Sequence, residues 1–206
     1  NMQSHWVGLP AFYRNLLLSL AQKTNAYMKN PVDEISIVLF PTPEQLNLIK
    51  TYKQLLKNRI PKGYGCANSA AHISILQFKT HLEFILYANQ IREFCKTLTP
   101  QDVTFDSWEK FEYAGAFYLA PDASSKIYLD CLIFNINIYL RFPIDKKQVN
   151  AHMSIGRKLF GEKMKIAEET FKEIKPNFTF NCDALCVRKF DGRQYSKIIE
   201  KIDFGK

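Results

Sequence analysis

Two short segments of the sequence place a histidine and a serine two residues apart. They are residues 72–75 (HISI) and residues 152–155 (HMSI). Side chains on a β-strand alternate between its two faces, so each histidine and its serine project from the same face. The apolar residues between them can then anchor the other face in a core. For either segment alone, two strand residues that hydrogen-bond locally would be the simpler interpretation.

Both segments together suit acid–base chemistry, and displacement at a phosphodiester is one reaction that such side chains can serve. Imidazole has a pKa near 6.5, so His72 and His152 can hold or accept a proton near neutrality. Displacement at a phosphodiester needs a base on the entering oxygen and an acid on the leaving oxygen. Hydroxyls of Ser74 and Ser154 can donate hydrogen bonds to the non-bridging oxygens, where negative charge develops. We therefore predict His72 and His152 as catalytic and both serines as phosphate-binding residues.

Neither a metal nor a cofactor is expected from the sequence. The chain shows no His, Asp and Glu cluster with the spacing of metal ligands. It also lacks a glycine-rich turn between a strand and a helix, so nothing supports dinucleotide binding or a P-loop.

Four further residues are candidate substrate contacts. In a regular strand Phe78 shares the face of His72 and could stack on a base, although packing in the core is the favoured interpretation. Arg157 alternates to the face opposite His152, which favours a surface or lobe-bridging role over phosphate contact. Tyr118 and Tyr195 could stack on or hydrogen-bond a nucleotide, but the chain has ten tyrosines, so neither stands out.

The elements that must position these residues alternate along the chain. Hydrophobic periodicity predicts strands at residues 34–40, 72–78, 103–107, 111–119, 152–158, 178–190 and 195–204. It predicts helices at residues 43–59, 82–98 and 161–175. Residues 125–142 are ambiguous, because their β-branched content favours a strand and their length a helix; we favour the helix. The order predicts an α+β fold of two similar split-βαβ lobes, with antiparallel sheets flanking a central groove.

The paired motifs resemble those of the two-histidine (2H) phosphoesterase superfamily, which includes 2′-5′ RNA ligase-like proteins and cyclic phosphodiesterases. Its mark is His-x-Thr/Ser-x-hydrophobic, present twice and roughly 80 residues apart, as for His72 and His152. The family's second motif often continues with Gly-Arg, as it does here at Gly156 and Arg157. The resemblance covers about residues 34–206, which we predict to be one bilobal domain. Residues 1–33 lie outside it, and their sequence pattern predicts an N-terminal helical extension.

The resemblance implies a metal-independent phosphoesterase that hydrolyses 2′,3′-cyclic phosphate or 2′-5′ phosphodiester bonds in RNA or nucleotides. Family members can also join RNA in the reverse direction. A non-catalytic module that binds an RNA end or a nucleotide remains the alternative, since both histidines could merely donate hydrogen bonds. A third hypothesis has the predicted helix at residues 9–28 docking a partner protein.

Composition and charge agree with an anionic partner without requiring one. The chain has 28 basic and 20 acidic residues, for a net charge of +8. Such a balance favours phosphates or nucleic acid, although a solvated basic surface would give the same count. No apolar stretch is long enough to span a membrane. Five cysteines without a Cys-x-x-Cys pair indicate reduced thiols, so we predict a cytoplasmic protein. We also predict that it is a monomer.

Overall fold

Strands and helices alternate in a computed structural model that describes residues 32–60, 62–141, 145–147, 149–195 and 197–206. The strands are β1 (Asp33–Leu39), β2 (Ile73–Thr80), β3 (Gln101–Phe111), β4 (Ala116–Pro121), β5 (Asp145–Lys147), β6 (Met153–Gly156), β7 (Phe178–Cys182), β8 (Ala184–Lys189) and β9 (Lys197–Asp203). The helices are α1 (Pro43–Arg59), α2 (Phe84–Lys96), α3 (Ala123–Tyr139) and α4 (Glu162–Phe171). The predicted helix at residues 9–28 lies outside the described residues.

The strands form one antiparallel sheet in the order β7-β3-β4-β6-β2-β1-β8-β9, with β5 paired to β2. The sheet divides into two four-stranded halves. The His72 half contains β2, β1, β8 and β9, and the His152 half contains β6, β4, β3 and β7. They meet where β2 pairs with β6. The predicted α+β class with antiparallel strands is therefore confirmed, and the two lobes share a single sheet.

Local signals explain where the helices begin. At the start of α1, the side-chain oxygen of Gln45 accepts a hydrogen bond from the backbone N–H of Thr42 at 3.0 Å, as a capping box requires. At the start of α3, the Asp122 carboxylate accepts from the backbone N–H of Ser125 at 2.7 Å. This cap and the buried face of α3 confirm the helix favoured for the ambiguous segment.

Two predicted strand boundaries are wrong. The segment 178–190 divides at Asp183 into β7 and β8, which belong to different halves of the sheet. The predicted hairpin within residues 103–119 turns later than expected, through a 3-10 turn at Glu112–Ala114 that ends at Gly115. Gly115 has φ +58°, a left-handed conformation in which glycine avoids a steric cost. Phe111 therefore ends β3 and does not begin β4.

The sheet has an apolar face and a face that lines a groove. Residues such as Ile35, Ile37 and Leu39 of β1 project into the main core, together with buried residues from all four helices. The opposite face of β1 carries Ser36 and Val38, which are also fully buried. All five cysteines are free thiols, as the sequence predicts. Within the described ranges, no helix combines the length and hydropathy that a membrane crossing requires.

Candidate active site

A groove of about 1350 Å³ runs across the junction of the two halves. Of the residues predicted from the sequence, six line it: His72, Ser74, His152, Ser154, Arg157 and Tyr195. Typical small-molecule pockets measure roughly 300–1000 Å³, so this groove has room for more than one nucleotide. Its lining includes five basic residues and one acidic residue: Lys53, Arg157, Arg188, Arg193, Lys201 and Asp183. The groove therefore favours an anionic ligand.

The pairing of β2 with β6 brings the two motifs together. Ile73 is the partner of Met153 in this antiparallel pair. Extending the register by one residue in each direction sets His72 opposite Ser154 and Ser74 opposite His152. Opposed residues have Cβ atoms about 4.5–5.5 Å apart, and diagonal neighbours are about 7–8 Å apart. The two histidines are thus diagonal neighbours around a space that suits one phosphate group, and we call these four residues the His–Ser quartet.

A β-bulge follows the motif serine in the first half. Ser74 pairs with Val38 and Leu76 pairs with Ile37, so Ile75 has no partner in β1. Ile75 and Leu76 are consequently both buried in the core. A bulge of this kind reverses the alternation of side chains beyond it.

The second half has a bulge at the corresponding place. Ser154 pairs with Tyr118 and Gly156 pairs with Phe117, so Ile155 has no partner in β4. The two bulged residues, like the two histidines, are 80 positions apart. The sheet therefore builds the same irregularity on both strands that carry the motif.

The bulges change which residues reach the groove, and they correct the strand faces predicted for Phe78 and Arg157, while the favoured core packing of Phe78 is confirmed. Phe78 lies in the core, 3% exposed, with its ring edge-on to Tyr87 at 5.5 Å, and it does not line the groove. Gln77 lines the groove in its place. Arg157, expected on the opposite face, also lines the groove. Its backbone exchanges two hydrogen bonds with Gly65, at 2.7 and 3.0 Å, which tie the loop before His72 to the end of β6.

Both imidazole rings are oriented by the backbone in the same way. Nδ1 of His72 lies 2.9 Å from the carbonyl oxygen of Ala70, and Nδ1 of His152 lies 2.7 Å from that of Asn150. Because a carbonyl oxygen only accepts hydrogen bonds, Nδ1 carries the proton in each ring. Nε2 is then the nitrogen that can take or give a proton.

His152 sits among aromatic rings and contacts its own serine. Nε2 accepts a hydrogen bond from the Ser154 hydroxyl at 3.1 Å. The ring lies 5.7 Å from Phe111, nearly perpendicular to it, and 4.9 Å from Tyr118. Burial is the main cause that lowers the pKa of His152, and the charge of Arg157 adds to it. Tyr118 is 4% exposed and donates to Glu109 at 3.0 Å, so it packs on His152 and does not line the groove.

His72 has a cationic neighbour. Its ring lies 6.1 Å from that of Phe40. Burial, followed by the charge of Arg188, lowers the pKa of His72 to about 4. His72 is therefore neutral at physiological pH. An equivalent of the His152–Ser154 hydrogen bond is not present between His72 and Ser74 within the part of the chain that the structure describes.

Arg188 is the groove residue that sequence reasoning missed most clearly. It is 6% exposed and donates through Nη2 to the Ser36 hydroxyl at 3.2 Å. Its guanidinium carbon lies 5.6 Å from the ring centre of Phe40 and 5.8 Å from that of Tyr195. The sequence did carry a signal, because Arg188 alternates with the apolar Ala184 and Cys186 on one face of a strand. No comparable pattern in the sequence indicated that Gln77 and Phe111 would line the groove.

Solved structures of other proteins share this fold. A solved structure of LigT from E. coli with 3′-AMP matches with a TM-score of 0.56 and 8% identity, covering 85% of this chain and 100% of that chain. LigT with phosphate matches with a TM-score of 0.56 and 10% identity, over 85% and 99% of the two chains. Usb1 from Kluyveromyces marxianus with uridine monophosphate matches with a TM-score of 0.50 and 13% identity, over 84% and 98%. No curated protein matches the sequence.

These structural likenesses show a common fold. The family model described as the 2′-5′ RNA ligase superfamily matches residues 41–194, which is well over half of the chain. That span includes both motifs, both bulges and Arg188. The resemblance to two-histidine phosphoesterases is thereby confirmed, and the chain belongs to the 2′-5′ RNA ligase superfamily.

Proposed function

We propose that this protein is a metal-independent phosphoesterase that opens 2′,3′-cyclic phosphates or cleaves 2′-5′ phosphodiester bonds in RNA or nucleotides. The observation that carries the proposal is the His–Ser quartet in a basic groove. Two histidines with Nε2 available can serve one phosphate as base and acid. The two serine hydroxyls can donate to its non-bridging oxygens.

The surroundings of the histidines support a division of roles. His72, whose pKa is lowered to about 4, is neutral and suits the base. In hydrolysis of a 2′,3′-cyclic phosphate, its Nε2 takes a proton from the attacking water. His152 then gives the proton on its Nε2 to the departing 3′ oxygen, which leaves a 2′-phosphate. A bound phosphate raises the pKa of His152 and so helps this ring to carry the second proton.

The nature of the ligands in related folds supports a nucleotide substrate. LigT was solved with 3′-AMP and Usb1 with uridine monophosphate. The groove is large enough for a nucleotide and its neighbour. The family resemblance extends the proposal to the reverse reaction, in which a phosphodiester bond is formed between RNA ends.

Turnover of defined substrates in excess chelator tests the proposal. The substrates are nucleoside 2′,3′-cyclic phosphates and 2′-5′-linked dinucleotides, with products identified by chromatography and phosphorus NMR. We expect a 2′-phosphate product at a rate that EDTA does not change. Activity that disappears with EDTA and returns with a divalent cation would contradict the metal-free mechanism. Binding without any turnover would identify the non-catalytic module instead.

A further inference from the structure

Arg188 is a buried cation that has no anionic partner among the residues that the structure describes. Charged side chains are rarely buried unless they are paired, because removing them from water is unfavourable. None of the ion pairs between described residues includes Arg188, and its Nε makes no hydrogen bond. Within the described ranges, the acceptor for its Nη2 is the neutral hydroxyl of Ser36. Burial lowers its pKa to about 10, so it remains charged at neutral pH.

The surroundings of Arg188 hold the guanidinium in place without neutralising it. Phe40 and Tyr195 lie on it at 5.6 and 5.8 Å, and the ring faces favour a cation. The Tyr195 hydroxyl lies 3.3 Å from the Glu34 carboxylate, which ties that ring to β1. We call Arg188, Ser36, Phe40 and Tyr195 the Arg188 subsite. Because Arg188 also lines the groove, its guanidinium lies where an anionic ligand in the groove can approach it.

The Arg188 subsite lies beside the His–Ser quartet. Ser36 pairs with Gln77 on one side and with Arg188 on the other. The guanidinium that bonds to Ser36 is thus about one strand spacing, near 4.8 Å, from β2, beyond the bulge that separates Gln77 from Ser74. A phosphate between the two histidines would leave Arg188 free for another anionic group.

We propose that Arg188 binds a second phosphate group of the substrate, one linkage away from the reacting phosphate. This inference rests on the proposed phosphoesterase function and narrows its substrate to the end of an oligonucleotide. A nucleoside cyclic phosphate, which carries one phosphate group, leaves the subsite empty. Arginine suits the role because its planar fork of N–H groups matches two phosphate oxygens.

The experiment compares two dinucleotides that end in a 2′,3′-cyclic phosphate. One has an ordinary internal phosphodiester and the other an uncharged methylphosphonate at that linkage. For the wild type, we expect kcat/KM to fall about 10- to 100-fold with the neutral linkage, as for loss of a charge-assisted hydrogen bond. Arg188→Gln should lose a similar factor on the ordinary substrate and show no further loss with methylphosphonate. Lys172→Gln, at an exposed lysine outside the groove, is the matched control and should keep the wild-type dependence on linkage charge.

A binding measurement separates failure of the subsite from failure of the proposed function. The probe is a 2′-deoxy dinucleotide with a 3′-phosphate, in charged and methylphosphonate forms, which cannot cyclise. If turnover is absent, but the wild type binds the charged probe more tightly than the neutral one and Arg188→Gln does not, the subsite stands and the phosphoesterase function is wrong. If turnover occurs but linkage charge matters in neither assay, the subsite is wrong and the function stands. An equal loss on both substrates in Arg188→Gln would also overturn it. Should that variant not fold, Arg188→Lys, which keeps the charge, must lose part of the discrimination.

Discussion

The two strands that carry the histidines share a backbone arrangement and differ in what surrounds it. In each, Nδ1 bonds to the carbonyl two residues before the histidine, and a bulge follows the motif serine. The charge of the buried Arg188 acts on His72, whereas His152 packs against the rings of Phe111 and Tyr118 and bonds to Ser154. The backbone therefore places two equivalent imidazoles, and residues outside the motifs make them unequal acids.

The largest expected effect comes from removing either imidazole. We expect His72→Ala and His152→Ala each to lower kcat by about 10²–10⁴, the usual contribution of a general acid or base. The double variant should lose much less than the product of the two factors, because the groups act as a unit. Steady-state turnover of a 2′,3′-cyclic phosphate measures this, with ligand affinity as the control that should largely survive. Full activity in either variant would contradict the paired mechanism.

Removing the serine hydroxyls should have the next largest effect on kcat, and it should distinguish the two halves of the sheet. We expect Ser74→Ala and Ser154→Ala to lower kcat, each by up to about 10²–10³, since each removes a donor to the developing charge. Only Ser154→Ala should also move the pH profile, because its hydroxyl stabilises neutral His152 and its loss raises the pKa of that ring. Ser→Thr variants retain the hydroxyl and serve as controls. Equal shifts of the pH profile in both alanine variants would remove the asymmetry between the halves.

The pH dependence of kcat/KM reports the unequal protonation of the free enzyme directly. The rate should rise with pH as His72 loses its proton near pH 4 and fall as His152 loses its own below its ordinary 6.5. The optimum should thus be more acidic than two unperturbed imidazoles would give.

Arg157→Gln sharpens this test, because it removes a charge that lowers the pKa of His152. The falling limb should move to higher pH while the rising limb stays. Movement of the rising limb alone would assign the acid and base roles the other way.

Replacing Gly156 should have the smallest effect on catalysis but a measurable effect on stability. Gly156 occupies the position in β6 that corresponds to Leu76 in β2. A Cβ on Gly156 would lie 2.5 Å from Leu159 Cδ1, so Leu159 must shift. We expect Gly156→Ala to lower the free energy of unfolding by about 1–3 kcal/mol. Leu76→Ala leaves a cavity and should cost about 2–5 kcal/mol. Urea denaturation measures both, and an alanine at 156 that leaves stability unchanged would contradict the packing described here.

Sequence reasoning identified the His–Ser quartet but misplaced or missed residues that surround it. The placement of His72 and Ser74 on one face follows from strand alternation over two residues, which the bulges do not interrupt. The faces predicted for Phe78 and Arg157 were wrong because both residues lie beyond a bulge, although the favoured interpretation of Phe78 as a core residue is confirmed. Register depends on which residues the partner strand offers, here Ile37 and Val38 of β1, and these are distant in the sequence. Arg188 lies still farther from both motifs along the chain.

The four described helices, most of the strands, the α+β class and the two motifs follow from local sequence, because helix caps and strand periodicity act over a few neighbouring residues. Tertiary structure alone decided that β2 and β6 lie side by side, that both strands bulge after the serine, and that Arg188 reaches the groove. These features arise from pairing and burial between residues as distant as Ser36 and Arg188. The protonation of His72 belongs with them, since burial and the charge of Arg188 set it.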